Sequence, residues 1–394
     1  MSRPLSVAIL GSRGIPGRYS GFETLAEELS TRLVERGWRV TVYCRPAYTP
    51  SALRSHRGVE ITVLPTARSK YLDTPVHTLL SCLHAARRSF DAVLMVNSAN
   101  ALFLPILRAA GIPVAINVDG LDRQRKKWGW AGRAVFGLCE RLAVRWSDAL
   151  IADAAVIGVH YREKRGARPV EIAYGVEPRP LPPGPVMNRL GLEPRRYFLY
   201  VGRFERENNP HRVAEAYRGV GGRLPLVMVG GAPYARRFMR SFIAGADPRI
   251  LFPGPIYGAG YQELLSHALA YVQASEVGGT HPALVEAMGH GNCVIVNDVP
   301  EHREVVGDTG RYYRIREPET LAAALEWARR EPGAAAELGR RAAARARRRY
   351  TWEKVVDRYE VLLESLATAA EVTGVEELSA ASDPSGRGDL PRET

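Results

Sequence analysis

The sequence predicts two doubly wound α/β domains facing each other across a cleft, with helices ending the chain. Three observations predict it. Short apolar runs of strand length alternate with helix-period segments twice over, in residues 1–177 and again in 195–350. Such alternation builds a parallel sheet covered on both faces. Between the two series, residues 178–194 hold six prolines and two glycines, which reads as a linker with no element of its own. At 394 residues, 46% of them hydrophobic, the chain suits two or three domains with real cores.

The first series opens with a buried-strand run, residues 6–10, and a glycine loop. A helix over 22–36 follows: Phe22, Leu25, Ala26, Leu29 and Leu33 fall at helical spacing, and Gly37 stands where a helix stops. Further strands are expected at 39–44, 60–64, 92–96, 114–118, 149–152 and 170–173, with helices at 75–89, 99–110, 133–146 and 154–164. The second series places strands at 197–201, 225–229, 250–252, 270–274 and 293–296. Helices are expected between those strands and then at 319–330, 334–349 and 352–367. A final helix over 351–370 is expected to cross back to the first domain, and a Ser-, Gly- and Asp-rich tail from 377 to be disordered.

The net charge of +12 is uneven: residues 1–180 carry +11 and the remainder +1. The first half therefore suits an anionic partner: nucleic acid, a phospholipid surface or a phosphorylated substrate. Cys44, Cys82, Cys139 and Cys293 are far apart and form no Cys-x-x-Cys pair, which argues against a disulfide framework or a metal site. A reducing cytoplasm is the expected setting. The apolar start lacks the form of a signal peptide, and the apolar region 101–116 is broken by Pro105, Arg108 and Gly111-Ile-Pro113.

Ligands of such folds bind outside the carboxyl ends of the strands. Neither Gly-x-Gly-x-x-Gly nor the phosphate loop Gly-x-x-x-x-Gly-Lys-Ser/Thr is present. Four other segments carry chemistry. Residues 276–289, Glu-Val-Gly-Gly-Thr-His-Pro-Ala-Leu-Val-Glu-Ala-Met-Gly, join a strand to a helix through two glycines. Glycine admits a ligand close to the backbone, and a helix start favours an anion. The turn suits a pyrophosphate, and Glu286, one turn into the helix, a sugar hydroxyl; the same pattern also describes an ordinary strand–turn–helix. The loop from Gly11 to Glu23 is long, glycine-rich and basic, and Arg13, Arg18 and the N–H groups near Gly21 could hold a phosphate or sugar. Asp119 ends a strand and precedes Arg123, Arg125, Lys126 and Lys127, interleaved with Trp128 and Trp130. That pattern suits a membrane interface or lipid diphosphate, or a solvated face. Arg203 directly follows a strand in Val201-Gly-Arg-Phe-Glu-Arg-Glu-Asn-Asn-Pro210, where it could pair with phosphate or with Glu205 or Glu207.

Taken together, Gly11-Ser-Arg-Gly-Ile-Pro, Gly21-Phe-Glu-Thr24, Asn117-Val-Asp-Gly120, Lys127-Trp-Gly129, Gly202-Arg203, Glu207-Asn-Asn209 and Gly278-Gly-Thr280 with Leu284-Val-Glu-Ala-Met288 resemble the retaining GT-B glycosyltransferases of family 4. Within these, the chain is similar to the bacterial β-1,4-rhamnosyltransferase-like branch, over nearly its whole length to about residue 368. The resemblance implies two Rossmann-like domains, the N-terminal binding the acceptor and the C-terminal a nucleotide-sugar donor. It implies donor contacts by Gly202, Arg203, Asn208, Ile256, Glu276, Gly278, Gly279, Thr280, His281, Leu284 and Glu286. Arg203 would hold the diphosphate, Glu286 the ribose, and Ile256 the region of the base. Acceptor contacts fall to Arg13, Gly21, Glu23, Asp119, Lys126 and Lys127, with Asp119, Arg203 and Glu286 nearest the chemistry.

Two departures stand out. The family's Lys five residues after the Arg is Asn208 here, and its Glu eight residues before Glu286 is Gly278. Both resemble the rhamnosyl branch. The resemblance implies transfer with retention, without metal or other cofactor, in surface polysaccharide assembly. The expected acceptor is a lipid-linked saccharide or an oligosaccharide, at the inner face of the membrane. A sugar-nucleotide epimerase on the same architecture is the alternative enzyme. A basic nucleic-acid-binding protein is the alternative class, although no recognised nucleic-acid module is present.

Overall fold

Alternate residues of each central strand feed opposite layers of core. Val7 and Ile9 pack on one face of the first sheet, Ala8 and Leu10 on the other. In the second sheet Leu226 and Met228 divide in the same way from Val227 and Val229. Strands buried on both faces belong to parallel sheets between helical layers. The computed structural model describes residues 3–17, 21–67, 69, 72–118, 120, 123, 129–231 and 236–381, with backbone alone at 236 and from 370 onward.

The first domain comprises β1 (Ser6–Leu10), α1 (Gly21–Glu35), β2 (Arg39–Cys44), β3 (Ser55–His56), β4 (Val59–Val63), α2 (Asp73–Ala85) and β5 (Ala92–Val96). It continues with a 3-10 turn (Ser98–Phe103) running into α3 (Leu104–Ala109), then β6 (Val114–Asn117), α4 (Trp130–Trp146), β7 (Ala149–Ala152), α5 (Ala155–Arg165) and β8 (Val170–Glu171). Its sheet order is β3-β4-β2-β1-β5-β6-β7-β8, parallel except for the β3–β4 pair. The segment expected as one helix over 99–110 is two pieces. The side chain of Asn97 caps the 3-10 turn, and Pro105 sits in the first turn of α3.

The expected linker contains a helix after all, α6 (Pro185–Leu190). Pro185 presets the helical φ at the first position, where no N–H is needed, and Gly191 ends the helix in the left-handed region. Glu263 of the second domain accepts hydrogen bonds from Gly184 N (2.9 Å), Val186 N (3.3 Å) and Met187 N (2.8 Å). A tertiary cap of this kind is invisible to local patterns.

The second domain holds β9 (Phe198–Val201), α7 (Pro210–Tyr217), β10 (Leu226–Val229), α8 (Arg236–Ile243), β11 (Ile250–Gly254), α9 (Ala259–His267), β12 (Ala270–Gln273), α10 (Pro282–Gly289), β13 (Cys293–Asn297), α11 (Pro300–Val306) and β14 (Arg311–Tyr313). Its parallel sheet runs β11-β10-β9-β12-β13-β14. β9 and β1 are central in their sheets, so the loops after them open at strand-order reversals, where such folds bind ligands.

The chain ends with α12 (Pro318–Arg330), α13 (Pro332–Arg349) and α14 (Trp352–Ala381). α14 is longer than expected: residues 377–381, expected to begin the disordered tail, continue its helical backbone, and 382–394 lie outside the described residues. The return to the first domain is present. Trp352, Val355, Val356, Tyr359 and Leu363 join the core beneath α1 and the first sheet. Polar contacts fix the crossing: Asn117 Nδ2 donates to Tyr359 Oη (2.8 Å) and Trp38 Nε1 to Glu360 (3.0 Å). The four cysteines are buried and free. Among the described residues no helix is long and apolar enough to cross a membrane.

Because Trp352 is 4% exposed within the first domain's core, Trp352→Ala should destabilise that domain by roughly 3–5 kcal/mol. Val361→Ala, at a position 67% exposed on the same helix, should stay within about 0.5 kcal/mol. Urea unfolding followed by tryptophan-independent circular dichroism measures both; equal effects would contradict the crossing.

Candidate active site

The loop after β9 and the glycine turn after β12 are tied into one surface. Asn209, in the left-handed region, donates from Nδ2 to Ala274 O (3.0 Å), and Glu276 N donates to Glu207 O (3.1 Å). These bonds hold the Arg203 loop against the turn that begins at Glu276. Asn208 Nδ2 donates to Arg203 O at 2.8 Å, so its amide closes the loop on which Arg203 stands. The Arg203 guanidinium is half-exposed, and its ion pair with Glu205 is long, 3.8 Å. A guanidinium held this loosely can turn to an incoming anion.

At the turn itself, Gly278, Gly279 and Thr280 are buried and His281 precedes α10. A side chain at 278 would have to displace the His281 ring, because a Cβ there would stand 2.5 Å from it. The ring lies 5.2 Å from that of His302, which is buried and donates from Nδ1 to Asn297 O (2.8 Å). Burial lowers the His302 pKa to about 4, so this imidazole stays neutral and its tautomer is fixed. Leu284 is fully buried in the core beneath the turn, and its N–H is taken by His281 O (3.0 Å). Ile256, following β11, is half-buried beside α6 and α9.

One turn into α10, Glu286 accepts a hydrogen bond from Tyr261 Oη at 2.6 Å on Oε2. Burial pushes the Glu286 pKa up to about 7; the Tyr261 hydrogen bond opposes this, and the charge of Glu28 across the cleft adds to it. Among the described residues, Tyr261 is the side-chain hydrogen-bond partner of this carboxylate. Tyr261 was not legible in the sequence, because its role depends on α9 lying beside α10.

The first domain closes over this turn. Gly120 meets it backbone to backbone: a Cβ at Gly120 would fall 2.8 Å from Gly278 Cα. Gly21, at the start of α1, abuts Pro282, at the start of α10; a Cβ there would be 2.9 Å from Pro282 Cγ. Behind Gly21, Glu23 is 3% exposed and accepts from Arg13 N (2.9 Å), so this carboxylate shapes the first loop. The Arg13 guanidinium lies over the Tyr48 ring, 5.4 Å from its centre. Thus Gly21 and Gly120 from the first domain meet the start of α10 and the glycine turn of the second. Asp119, Lys126 and Lys127, like Arg18, Arg125 and Trp128, lie outside the described residues.

Asp153, after β7, was not singled out in the sequence. It is 1% exposed, and its carboxylate lies on Gly279. The Thr280 hydroxyl donates to Asp153 O. Nearby, Glu304 of α11 accepts from Ala155 N (2.8 Å) and Val156 N (3.2 Å), capping α5 of the opposite domain.

Comparison with known proteins fits this architecture. Residues 20–174 match the glycosyl transferase 4-like domain, and residues 195–330 match glycosyl transferases group 1. No curated protein matches the chain in sequence. Among solved structures, the chain is similar to a sucrose-phosphate synthase from Thermosynechococcus elongatus, with TM-score 0.81 and 18% identity over 93% of this chain and 100% of that one. It is similar to Anabaena HepE in complex with UDP and glucose, with TM-score 0.76 and 16% identity over 92% and 100% of the two chains. An α,α-trehalose-phosphate synthase (UDP-forming) from Burkholderia vietnamiensis gives 0.69 and 14% over 92% and 100%. At these identities the structures show a shared fold, and the two sequence matches carry the family. The chain is a glycosyltransferase of the GT-B type, a glycosyl transferase 4-like domain followed by a group 1 glycosyl transferase domain.

Proposed function

We propose that the chain transfers a hexosyl residue, L-rhamnose from dTDP-rhamnose being the favoured donor, with retention of configuration and without a metal cofactor. The acceptor is a lipid-linked saccharide or an oligosaccharide of surface polysaccharide assembly. The observation that carries the donor site is the union of three features on one surface: the loosely held Arg203, the glycine turn before α10, and Glu286 one turn inside. Arg203 and the helix start suit a diphosphate, and the Glu286 carboxylate suits a ribose hydroxyl. Two structures of the same fold contain sugar nucleotide or its parts: HepE with UDP and glucose, and HepE with UDP-glucose. A deoxy-sugar donor is favoured by the absence of a side chain at 278 and of a Lys at 208.

Retention fits front-side attack, in which the leaving phosphate takes the acceptor's proton. The chain's contribution is then electrostatic. Arg203 and the turn before α10 stabilise charge on the departing diphosphate, while Asp119 positions the acceptor. No covalent nucleophile is assigned. An epimerase would alter the donor in the absence of acceptor, whereas this reading requires acceptor for any change beyond slow hydrolysis.

The membrane side of the proposal rests on an exposed face of the first domain. Leu79 and Leu83 of α2, Leu102 of the 3-10 turn, and Trp130, Val135 and Leu138 of α4 are exposed, Trp130 by 86%. Arg133 and Arg141 lie on the same helix as Trp130 and are exposed. Apolar side chains among cations suit an anionic bilayer surface, where the domain would meet a lipid-linked acceptor on the cytoplasmic side.

Two measurements test this. Calorimetric titration of dTDP-, UDP- and GDP-sugars should find one tight donor class. Because a ribose hydroxyl donates best to an ionised carboxylate, affinity should rise with pH through about 7, the Glu286 pKa, and Glu286→Gln should abolish the rise. The same raised pKa makes the folded state hold a proton that the unfolded state releases, so this group's contribution to stability is largest at low pH and is lost as pH rises through that window. Affinity independent of pH in the native protein would remove Glu286 from the donor site. Vesicle flotation should show binding to anionic but not neutral liposomes, weakened severalfold by Trp130→Ala; equal binding to both would sink the membrane reading.

A further inference from the structure

A cavity of about 520 Å³ lies at the amino-terminal edge of the second sheet, opposite the edge that carries the glycine turn. Small-molecule sites span roughly 300–1,000 Å³. Arg195 enters it ahead of β9, Leu269 ahead of β12 and Gly291 ahead of β13. α10 joins the two edges: it begins at the glycine turn, and its last residue, Gly289, lines the cavity with His290. An eight-residue helix keeps the two places roughly 12 Å apart. The facing wall is α13, where Ala336, Arg340, Ala343 and Arg347 recur at helical spacing and form one stripe. The alanines leave the room and the arginines border it. The walls are fixed. α13 stands close through Gly339, where a Cβ would fall 2.2 Å from Gly291 O. The His290 ring donates from Nε2 to Gln262 Oε1 (2.7 Å), and its backbone N–H donates to Glu286 O (3.0 Å). Arg195 holds a left-handed backbone and donates from Nη1 to Ala268 O (2.8 Å).

We propose that this cavity is a second binding site, for a small organic phosphate whose phosphoryl group meets the guanidinia and whose apolar body rests on Leu269 and Ala343. No lining residue is acidic. Among the described residues, Arg195 and Arg347 have no carboxylate partner, and Arg340 pairs with Glu337 of its own helix at the exposed surface. A surface pair of that kind is worth little and yields to a better anion. Burial lowers the His290 pKa to about 4, so the ring is neutral and the cavity's charge is that of its guanidinia. A guanidinium takes phosphoryl oxygens two at a time, and a phosphoryl dianion answers more of this charge than one carboxylate does. Inorganic phosphate would leave the buried Leu269 and Ala343 uncovered, so an apolar body adds to affinity. The site stands apart from the donor reading, since it shares no residue with Arg203, the glycine turn or Glu286.

The test uses phenyl phosphate, inorganic phosphate and phenol as probes, titrated by calorimetry into the full-length protein. The native protein should bind phenyl phosphate about 10-fold or more tightly than inorganic phosphate, and more tightly than phenol. The double variant Arg340→Ala with Arg347→Ala should weaken phenyl phosphate about 10–100-fold, the scale of hydrogen bonds to charged groups. Both positions are exposed on a helix, where alanine is a strong helix former, so the fold should survive. Ala336→Trp, from an exposed position on the same stripe, should fill the cavity and block the probe. Arg203→Ala should leave phenyl phosphate binding unchanged. Loss of binding in Arg203→Ala would overturn the proposal by moving the probe to the donor site. Unchanged affinity in the double variant, or no binding by the native protein, would overturn it as well. So would equal affinity for inorganic and phenyl phosphate, which is attraction to surface charge, or for phenol and phenyl phosphate, which is an apolar cavity indifferent to the anion.

Discussion

Backbone meets backbone across the cleft at Gly120 and Gly278–Gly279, and the site depends on that approach. A side chain at any of the three would strike the opposite domain, the His281 ring or the Asp153 carboxylate. The contact brings the carboxyl end of β6 over the turn that precedes α10. In the same closure Gly21 reaches Pro282, Asp153 reaches Gly279, and Glu304 reaches the first N–H groups of α5. Small residues and capped helix starts therefore do what large interfacial side chains do elsewhere: they let the two domains touch at close range.

The electrostatics of the closed site divide its labour. Arg203 stands half-exposed with a long ion pair, ready for an anion. Glu286 is surrounded by protein and carries a pKa near 7, so it answers to the ligand that enters beside it. His302 is kept neutral by burial and supports the His281 ring without adding charge. Asp153 brings a carboxylate from the other domain onto Gly279, so charge as well as backbone meets at the closure.

Most of the architecture was legible because its signals are local. The continuous apolar run of residues 6–10, the helical spacing in Phe22 to Leu33 and the proline run after 177 are carried by neighbouring residues alone. Helix α6 was missed because its start is capped by Glu263, 76 or more residues away in the chain. The sequence singles out candidates where a motif needs glycine or sits at a strand end, as at Gly21, Arg203 and Gly278, whereas Gly120 stood only inside a quoted motif. Tyr261 and Asp153 carried no local signal, since each matters through a partner on another element. Asn208 and Leu284, placed in the site by resemblance, have the evident duties of closing a loop and filling a core.

Small-angle X-ray scattering of Gly279→Ala probes the approach of the two backbones across the cleft. The backbone at 279 tolerates alanine, so the change acts through the added methyl, which would lie 2.0 Å from an Asp153 oxygen. A larger radius of gyration than the native protein's is expected, with both domains still folded, and loss of sugar transfer. A scattering curve identical to the native one, with transfer intact, would contradict it.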